Sequence, residues 1–207
     1  MTYILLINPN TTQWITDLVL RNAKRFASKG TTLRAVTGAF GPRYIASRVG
    51  YAIAGHAAVD AFANDRGRKD AVVLACFGDP GLAALKEIAK VPVVGMADAS
   101  IRTVAPTGAD IARNPKAAMA LLAKGCTACV REDGANVVIL GGAGLAGLAA
   151  KLKDAVDAPL LDGVACAISM AESLAAQKPA KARTGQLSKA APVDSIGLSK
   201  ALAKLIA

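Results

Sequence analysis

Histidine is almost absent from this sequence, and the shortage limits the metal sites that the chain can build. His56 is the only histidine among 207 residues, so a zinc site would need several of the four cysteines. Only Cys126 and Cys129 lie close together, and they fall inside a helical pattern without a second pair at zinc-ribbon spacing. We therefore predict no metal site and expect both thiols to be buried or half-buried on a helix.

Long apolar runs and a leader-like start are also missing. No run of about 18 apolar residues suggests a membrane span. Met1 leads almost directly into a short apolar run at 3–7 without a basic segment, so we predict no signal peptide. Cysteines without a short secreted framework are typical of a reducing compartment. We expect a cytoplasmic protein with no membrane partner.

Acidic side chains are too few to balance the basic ones, and the net charge is +10. Half of the excess lies in residues 177–207, where six Lys or Arg side chains outnumber one acid, Asp194. Aromatic residues make up only 4% of the chain, and the basic tail lacks the stacking platforms of a single-strand binder. We predict no nucleic-acid partner, and a positive field that attracts small anionic molecules.

Apolar runs alternate with helical patterns along most of the chain. Strands are predicted at 3–7, 31–36, 71–75, 91–94, 136–140 and 159–161, and helices at 12–28, 51–62, 81–89, 115–132, 145–156, 164–175 and 199–205. Strands and helices at this spacing indicate a doubly wound, parallel α/β fold.

An irregular stretch at 97–113, broken by Pro106 and Gly108, marks the predicted domain boundary. The predicted units are an N-terminal α/β subdomain (1–97), a shortened C-terminal α/β subdomain (98–176) and a basic crossing tail with a short terminal helix (177–207). Two strand ends, at 72–78 and 137–144, each run from a hydrophobic strand into a turn of small residues that opens a helix. This likeness predicts two pseudo-duplicated parallel-sheet subdomains that face a central cleft.

The first of these strand ends delivers Cys76 to a Gly/Pro turn at the carboxyl edge of the predicted sheet, where α/β proteins bind small ligands. Asn8 and Asn10 follow the first strand at the same edge. They are either turn and cap residues or hydrogen-bonding partners of a substrate carbonyl or carboxylate. Asp79 either caps the helix that begins near Gly81, which we favour, or orients Cys76.

The sequence resembles the aspartate/glutamate racemase superfamily and, within it, the hydantoin and allantoin racemase branch. The matching segments are residues 7–12, 41–45 with 47–48, 75–81, 92–95, 140–141 with 143–144, 162–164 and 197–199. Together they span nearly the whole chain. The resemblance implies two similar α/β subdomains with the active site between them.

The chemistry that the resemblance implies needs no cofactor. Two cysteines, one on each face of the substrate, remove and return the proton on a carbon next to a carbonyl or carboxylate. Cys76 stands at the first cysteine position, where a helix N-terminus and backbone N–H donors would lower its pKa. At the second position the family pattern Leu-Gly-Cys-Ala-Gly has Gly142 in place of the cysteine. By comparison with the family, about one βα unit is also missing after residue 100.

The remaining candidate residues surround these two positions. The predicted substrate-binding residues are Asn8, Asn10, Tyr44, Phe77, Gly78, Asp79, Gly142, Ala143 and Gly144. Tyr44, with Arg43, Ser47 and Arg48, lies in a loop placed to cover the cleft. His56 is predicted to be structural. Cys166 either packs in the core, which we favour, or substitutes for the missing thiol.

We predict a cofactor-independent amino-acid or hydantoin-type racemase or epimerase, with Cys76 as acid/base. One alternative is a one-base decarboxylase or isomerase of the same superfamily, in which Cys76 protonates an enediolate from one face. The other is a non-catalytic descendant that binds a small anion. The expected partners are a small anionic or carbonyl substrate and further copies of the chain in a homo-oligomer.

Overall fold

Parallel strands and helices alternate through residues 1–96, 111, 113–180 and 197–206, which a computed structural model describes. The strands are β1 (Thr2–Asn8), β2 (Thr31–Thr37), β3 (Ala71–Leu74), β4 (Val93–Val94), β5 (Val138–Leu140) and β6 (Leu160–Asp162). The helices are α1 (Gln13–Phe26), α2 (Arg48–Asn64), α3 (Leu82–Ile88), α4 (Pro115–Arg131), α5 (Ala149–Leu152), α6 (Gly163–Gln177) and α7 (Lys200–Ile206). No helix within the described ranges has the length and hydropathy needed to cross a membrane.

The larger sheet has four parallel strands in the order β2-β1-β3-β4. Its central strands are apolar on both faces because helices cover both sides, as parallel sheets require. Ile4 and Leu6 of β1 pack with residues of α1 and α6, whereas Leu5 and Ile7 pack with residues of α2 and α3. All four side chains are at most 2% exposed. Packing on both faces of the sheet therefore fixes where each strand ends.

The smaller sheet pairs β5 with β6 in parallel, with Ile139 opposite Leu161. One face packs on α4 and α5, where Val138 and Leu140 meet Leu122 and Cys126. Cys126 is buried and Cys129 is half-buried, as predicted. In the described part of the chain, no group of three or more His, Cys, Asp or Glu side chains could hold a metal ion.

Helix α6 joins the two sheets. It follows β6 directly but packs against the larger sheet, beside α1. The Glu172 carboxylate accepts hydrogen bonds from the Ser28 N–H at 2.9 Å, the Ser28 hydroxyl at 3.0 Å and the Thr31 hydroxyl at 2.6 Å. Helix α7 also returns to the larger sheet and packs on α2. The division into pseudo-duplicated subdomains therefore stays a prediction.

The predicted helix at 145–156 is largely wrong, because the chain there forms the four-residue α5 between two short 3-10 turns. Gly147 has φ +81, a left-handed conformation that cannot continue an α-helix. Its N–H donates to an Asp162 carboxylate oxygen instead. The other strands and helices lie where the sequence pattern predicts them, within a few residues. The predicted irregular stretch at 97–113 falls almost entirely outside the described residues.

Candidate active site

The carboxyl ends of both sheets meet at one edge of the molecule. The Ala75 N–H donates to the Ile7 carbonyl at 2.8 Å, so Asn8 and Cys76 leave neighbouring strands side by side. The Phe77 ring lies against Gly141, in the space that a side chain there would need. A Cβ atom built on Gly163 would lie 3.1 Å from the Leu140 carbonyl oxygen. The turns after β3 and β5 and the start of α6 are therefore in contact.

Cys76 stands at the first turn after β3, as predicted. The residue is half-buried, and its Sγ atom lies 3.8 Å from the Phe77 carbonyl oxygen. The following loop is tightly bent, with positive φ at Gly78 (+118), Asp79 (+51) and Gly81 (+82). Glycine adopts such angles without steric cost, and aspartate more readily than most residues. The loop thus holds the thiol at the edge of the sheet and turns the chain sharply into α3.

The environment of Cys76 keeps the thiol protonated at neutral pH. Burial, which is the larger cause, and the nearby Asp79 carboxylate together raise its pKa from 9.0 to about 12. The expected lowering of this pKa is therefore wrong. A thiol is a weak base in this form, but it is competent to donate a proton.

Asp79 connects the loop after β3 to the end of β4. Its buried carboxylate accepts a hydrogen bond from the Met96 N–H at 2.7 Å and fills the space beside Gly95. The favoured capping role is wrong, because Gly81 is the N-cap of α3 and no side chain caps that helix. Asp79 instead fixes the loop that carries Cys76.

Asn8 and Asn10 form a buried network at the end of β1. The Asn8 side-chain amide donates to Asn10 Oδ1 at 3.0 Å and to the Thr16 hydroxyl at 2.9 Å. The Asn10 N–H donates to Asn8 Oδ1 at 3.3 Å, and the Thr12 N–H donates to Asn10 Oδ1 at 2.9 Å. These bonds fit the predicted turn role, and a hydrogen bond from either residue to a substrate stays a prediction.

Gly142 lies in the turn after β5, where the family pattern has its second cysteine. It has φ +122 and ψ 134, a backbone conformation that is essentially restricted to glycine. Space is available, since a Cβ atom built there would meet only Leu145 side-chain atoms, at 3.8 and 4.0 Å. Ala143 packs against the same core as Phe77. The turn at Gly142–Gly144 therefore presents backbone, not an ionisable side chain, beside the Cys76 loop.

Tyr51 is a site neighbour that the sequence reasoning missed. Its hydroxyl donates to the Asp79 carbonyl at 3.3 Å, and its ring lies 3.8 Å from a Cβ atom built on Gly78. One turn later, Gly55 lies directly against Gly81, with no room for a side chain at Gly81. The spacing of an aromatic residue four positions before a glycine on α2 was the available signal.

The loop predicted to cover the cleft, at 43–48, lies with the residue before it against the turn after β1. The Thr12 hydroxyl donates to the Arg43 carbonyl at 2.7 Å, and the Thr11 N–H donates to the Pro42 carbonyl at 3.2 Å. Tyr44 is 51% exposed, and its contact with a substrate stays a prediction. Ser47 caps α2 by accepting a hydrogen bond from the Gly50 N–H.

Two further residues have clear positions in the structure. His56 is exposed and makes an edge-on contact with the Phe40 ring, at 4.8 Å between centroids. Cys166 is exposed, so the expectation that it packs in the core is wrong. The core face of α6 is formed by Val164, Ala167 and Ile168, and Cys166 lies on another side of the helix.

Comparisons with known proteins agree in fold and sequence. The model of the Asp/Glu/Hydantoin racemase family matches residues 4–112 and 106–171. The hydantoin racemase of Paenarthrobacter aurescens is 32% identical over 84% of this chain and 91% of its own length. That of Pseudomonas sp. (strain NS671) is 29% identical over 83% and 85%.

Two solved structures superpose closely on the chain. The allantoin racemase from Pseudomonas fluorescens has a TM-score of 0.90 and 26% identity, covering 95% of this chain and 100% of its own. That from Klebsiella pneumoniae has a TM-score of 0.88 and 26% identity, covering 98% and 99%. These superpositions confirm the predicted α/β fold with parallel sheets.

Proposed function

This chain belongs to the Asp/Glu/hydantoin racemase family, and from that premise we propose that it racemises a small carbonyl compound without a cofactor. The predicted family and the predicted class of enzyme, a racemase and therefore an isomerase, are confirmed by its relatives. The observation that carries the proposed reaction is the placement of Cys76 where the strand ends of both sheets meet. Cys76 is the acid/base at one face of the substrate.

The proposed substrate is a cyclic ureide of the hydantoin or allantoin type, as the names of the relatives suggest. The hydrogen on the ring carbon next to the carbonyl is acidic, because the carbanion is delocalised onto the carbonyl oxygen. Backbone N–H groups of the two turns are candidate donors to that oxygen as charge develops on it. This role would account for Phe77, Gly78 and Gly142–Gly144 among the predicted substrate-binding residues.

The proposed proton transfers use one thiol and water. The thiolate form of Cys76 takes the proton from the ring carbon, which leaves a neutral thiol and an enolate. A water molecule on the Gly142 side gives a proton to the opposite face of that carbon and becomes hydroxide. Hydroxide then removes the proton from the Cys76 thiol, which restores water and the thiolate. Because Gly142 has no ionisable side chain, water replaces the second cysteine.

Loss of optical rotation from an enantiopure 5-substituted hydantoin tests this reaction. We expect the wild-type protein to racemise the compound and Cys76→Ser to do so at least about 100-fold more slowly. Cys129→Ser, which changes a half-buried thiol on α4, is the matched control and should retain activity. Equal rates for Cys76→Ser and Cys129→Ser would show that Cys76 has no role in the reaction.

A one-base reaction is the second candidate, and the absence of a thiol at Gly142 favours it. In that reaction the substrate carries two carboxyl groups on one carbon. Loss of carbon dioxide leaves an enediolate, and the neutral Cys76 thiol protonates it from one face. The resulting thiolate takes a proton back from water. In deuterated water the product would be a single labelled enantiomer, whereas racemisation would label both.

We make two further proposals, on location and on assembly. The described cysteines are free, which supports a reducing compartment and a cytoplasmic location. We also propose a homo-oligomer, for which sedimentation equilibrium is the measurement.

Binding of a small anion that protects Cys76 from a thiol reagent, without turnover of either substrate class, would identify a non-catalytic descendant.

A further inference from the structure

The ring of Tyr51 lies beside the loop that carries the reactive thiol. Its Cε2 atom lies 3.8 Å from a Cβ atom built on Gly78, two residues after Cys76, and its hydroxyl reaches the Asp79 carbonyl. Within the loop, the Phe77 ring covers Gly141. The loop that carries Cys76 therefore has the Tyr51 ring packed beside it and the Phe77 ring within it.

The position of Tyr51 is fixed by close packing between α2 and this loop. A Cβ atom built on Gly81 would lie 2.8 Å from the Gly55 carbonyl oxygen, so backbone meets backbone at this contact. Ser47 caps the helix one turn before Tyr51, which fixes the start of α2. Tyr51 remains 44% exposed, so part of the ring is free to contact a bound molecule.

We propose that Tyr51 determines specificity in the proposed reaction, by forming an apolar wall that favours an aromatic substituent on the carbon that exchanges its proton. The inference rests on the proposed function, since it assumes a substrate carbon near the Cys76 thiol. Stacked and edge-on contacts between rings stabilise beyond the area that they bury. A compact substituent such as a methyl group would gain little from the same wall.

The test compares 5-benzylhydantoin with 5-methylhydantoin. We expect Tyr51→Ala to lower kcat/KM for the benzyl compound about tenfold more than for the methyl compound, as one aromatic contact allows. Tyr51→Phe keeps the ring, removes the bond to the Asp79 carbonyl and should preserve the ratio. Val49→Ala is the control, since Val49 is 71% exposed on the same helix.

Equal losses for the two substrates in Tyr51→Ala would overturn the proposal and leave a structural role. A lowered ratio in Tyr51→Phe as well would overturn it in favour of the hydroxyl.

A binding readout separates this inference from the proposed reaction. Each hydantoin is tested for protection of Cys76 from a thiol reagent, measured by mass spectrometry. If neither compound is racemised while benzylhydantoin protects Cys76 in the wild type and not in Tyr51→Ala, that result contradicts the proposed reaction and supports the proposed role of Tyr51. If both compounds are racemised and protection does not depend on Tyr51, the proposed role of Tyr51 is wrong and the proposed reaction is supported.

Discussion

The turns after β3 and β5 follow similar sequence patterns, but the first carries a thiol and the second presents backbone. Each follows a short parallel strand and opens through small residues into a helical turn. The β3 turn is built around side chains, because Asp79 fixes the loop to Met96 and the half-buried Cys76 follows the strand directly. The β5 turn is built around backbone, with Gly142 at φ +122.

The difference between the two turns lies in backbone conformation as well as in the identity of one residue. The backbone at Gly142 has a conformation that a cysteine would adopt only with strain. At the same time Cys76 has a raised pKa, so the thiol that remains is mostly a proton donor at neutral pH. The two turns together fit the proposed site, in which one thiol and one water molecule make the two proton transfers.

The largest expected effect comes from removing the thiol of the β3 turn. Cys76→Ser should lower the racemisation rate by about 10²- to 10⁴-fold, the usual contribution of a general acid or base. Circular dichroism should be unchanged, because the substitution is nearly isosteric. A rate within about threefold of the wild type would mean that Cys76 is not the general acid or base of the reaction.

The pH dependence of the rate tests whether the remaining thiol acts as a base or as an acid. Below its pKa of about 12, the thiolate fraction of Cys76 rises about tenfold for each pH unit. Two-step racemisation through the thiolate should therefore accelerate with pH from neutrality upward, measured as kcat/KM. A flat profile between about pH 6 and 9 would instead fit the one-base reaction, in which the neutral thiol donates.

Asp79→Asn sharpens the same measurement. The amide oxygen can still accept from the Met96 N–H, but the charge that helps to raise the pKa of Cys76 is gone. The rise in rate should move to lower pH without reaching neutrality, because burial is the larger cause of the shift. An unchanged profile with unchanged stability would show that the carboxylate does not act on the thiol.

Restoring the family cysteine to the β5 turn has a smaller expected effect. Gly142→Cys should destabilise the protein by about 1–3 kcal/mol, the cost of a side chain in a glycine-only backbone region. We expect little gain in racemisation, since the thiol is introduced on a strained turn. Gly142→Ala is the matched control in a urea titration. A gain of more than about tenfold in rate, without loss of stability, would show that the turn relaxes to accept a thiol.

The sequence was enough to predict the strands and the place of Cys76, because apolar runs and Gly/Pro turns are local signals. The direction of the Cys76 pKa was not local, since it depends on burial and on the position of the Asp79 carboxylate. Tyr51 was missed because its contact with the Cys76 loop depends on the packing of Gly55 against Gly81, which lie apart in the sequence. The exposure of Cys166 was missed because α6 is rich in alanine, which blurs the buried face.

The smallest effect concerns α6, which follows β6 and packs on the larger sheet. Glu172 on α6 is half-exposed, and although burial raises its pKa, hydrogen bonds from Thr31 and Ser28 lower it below the usual 4.5. A carboxylate with a lowered pKa stabilises the fold at neutral pH, and this contribution is lost as the pH falls through its folded value.

Glu172→Gln should therefore cost less than about 1 kcal/mol at pH 7, because solvent screens a half-exposed group. The difference from the wild type should shrink below about pH 4.5. Asp157→Asn is the matched control, since its carboxylate pairs with Arg131 while 81% exposed and should change stability little at either pH. If urea titrations show no difference at pH 7, these bonds do not hold α6 on the larger sheet. Apolar packing with β1 and β3 would then hold the helix on that sheet.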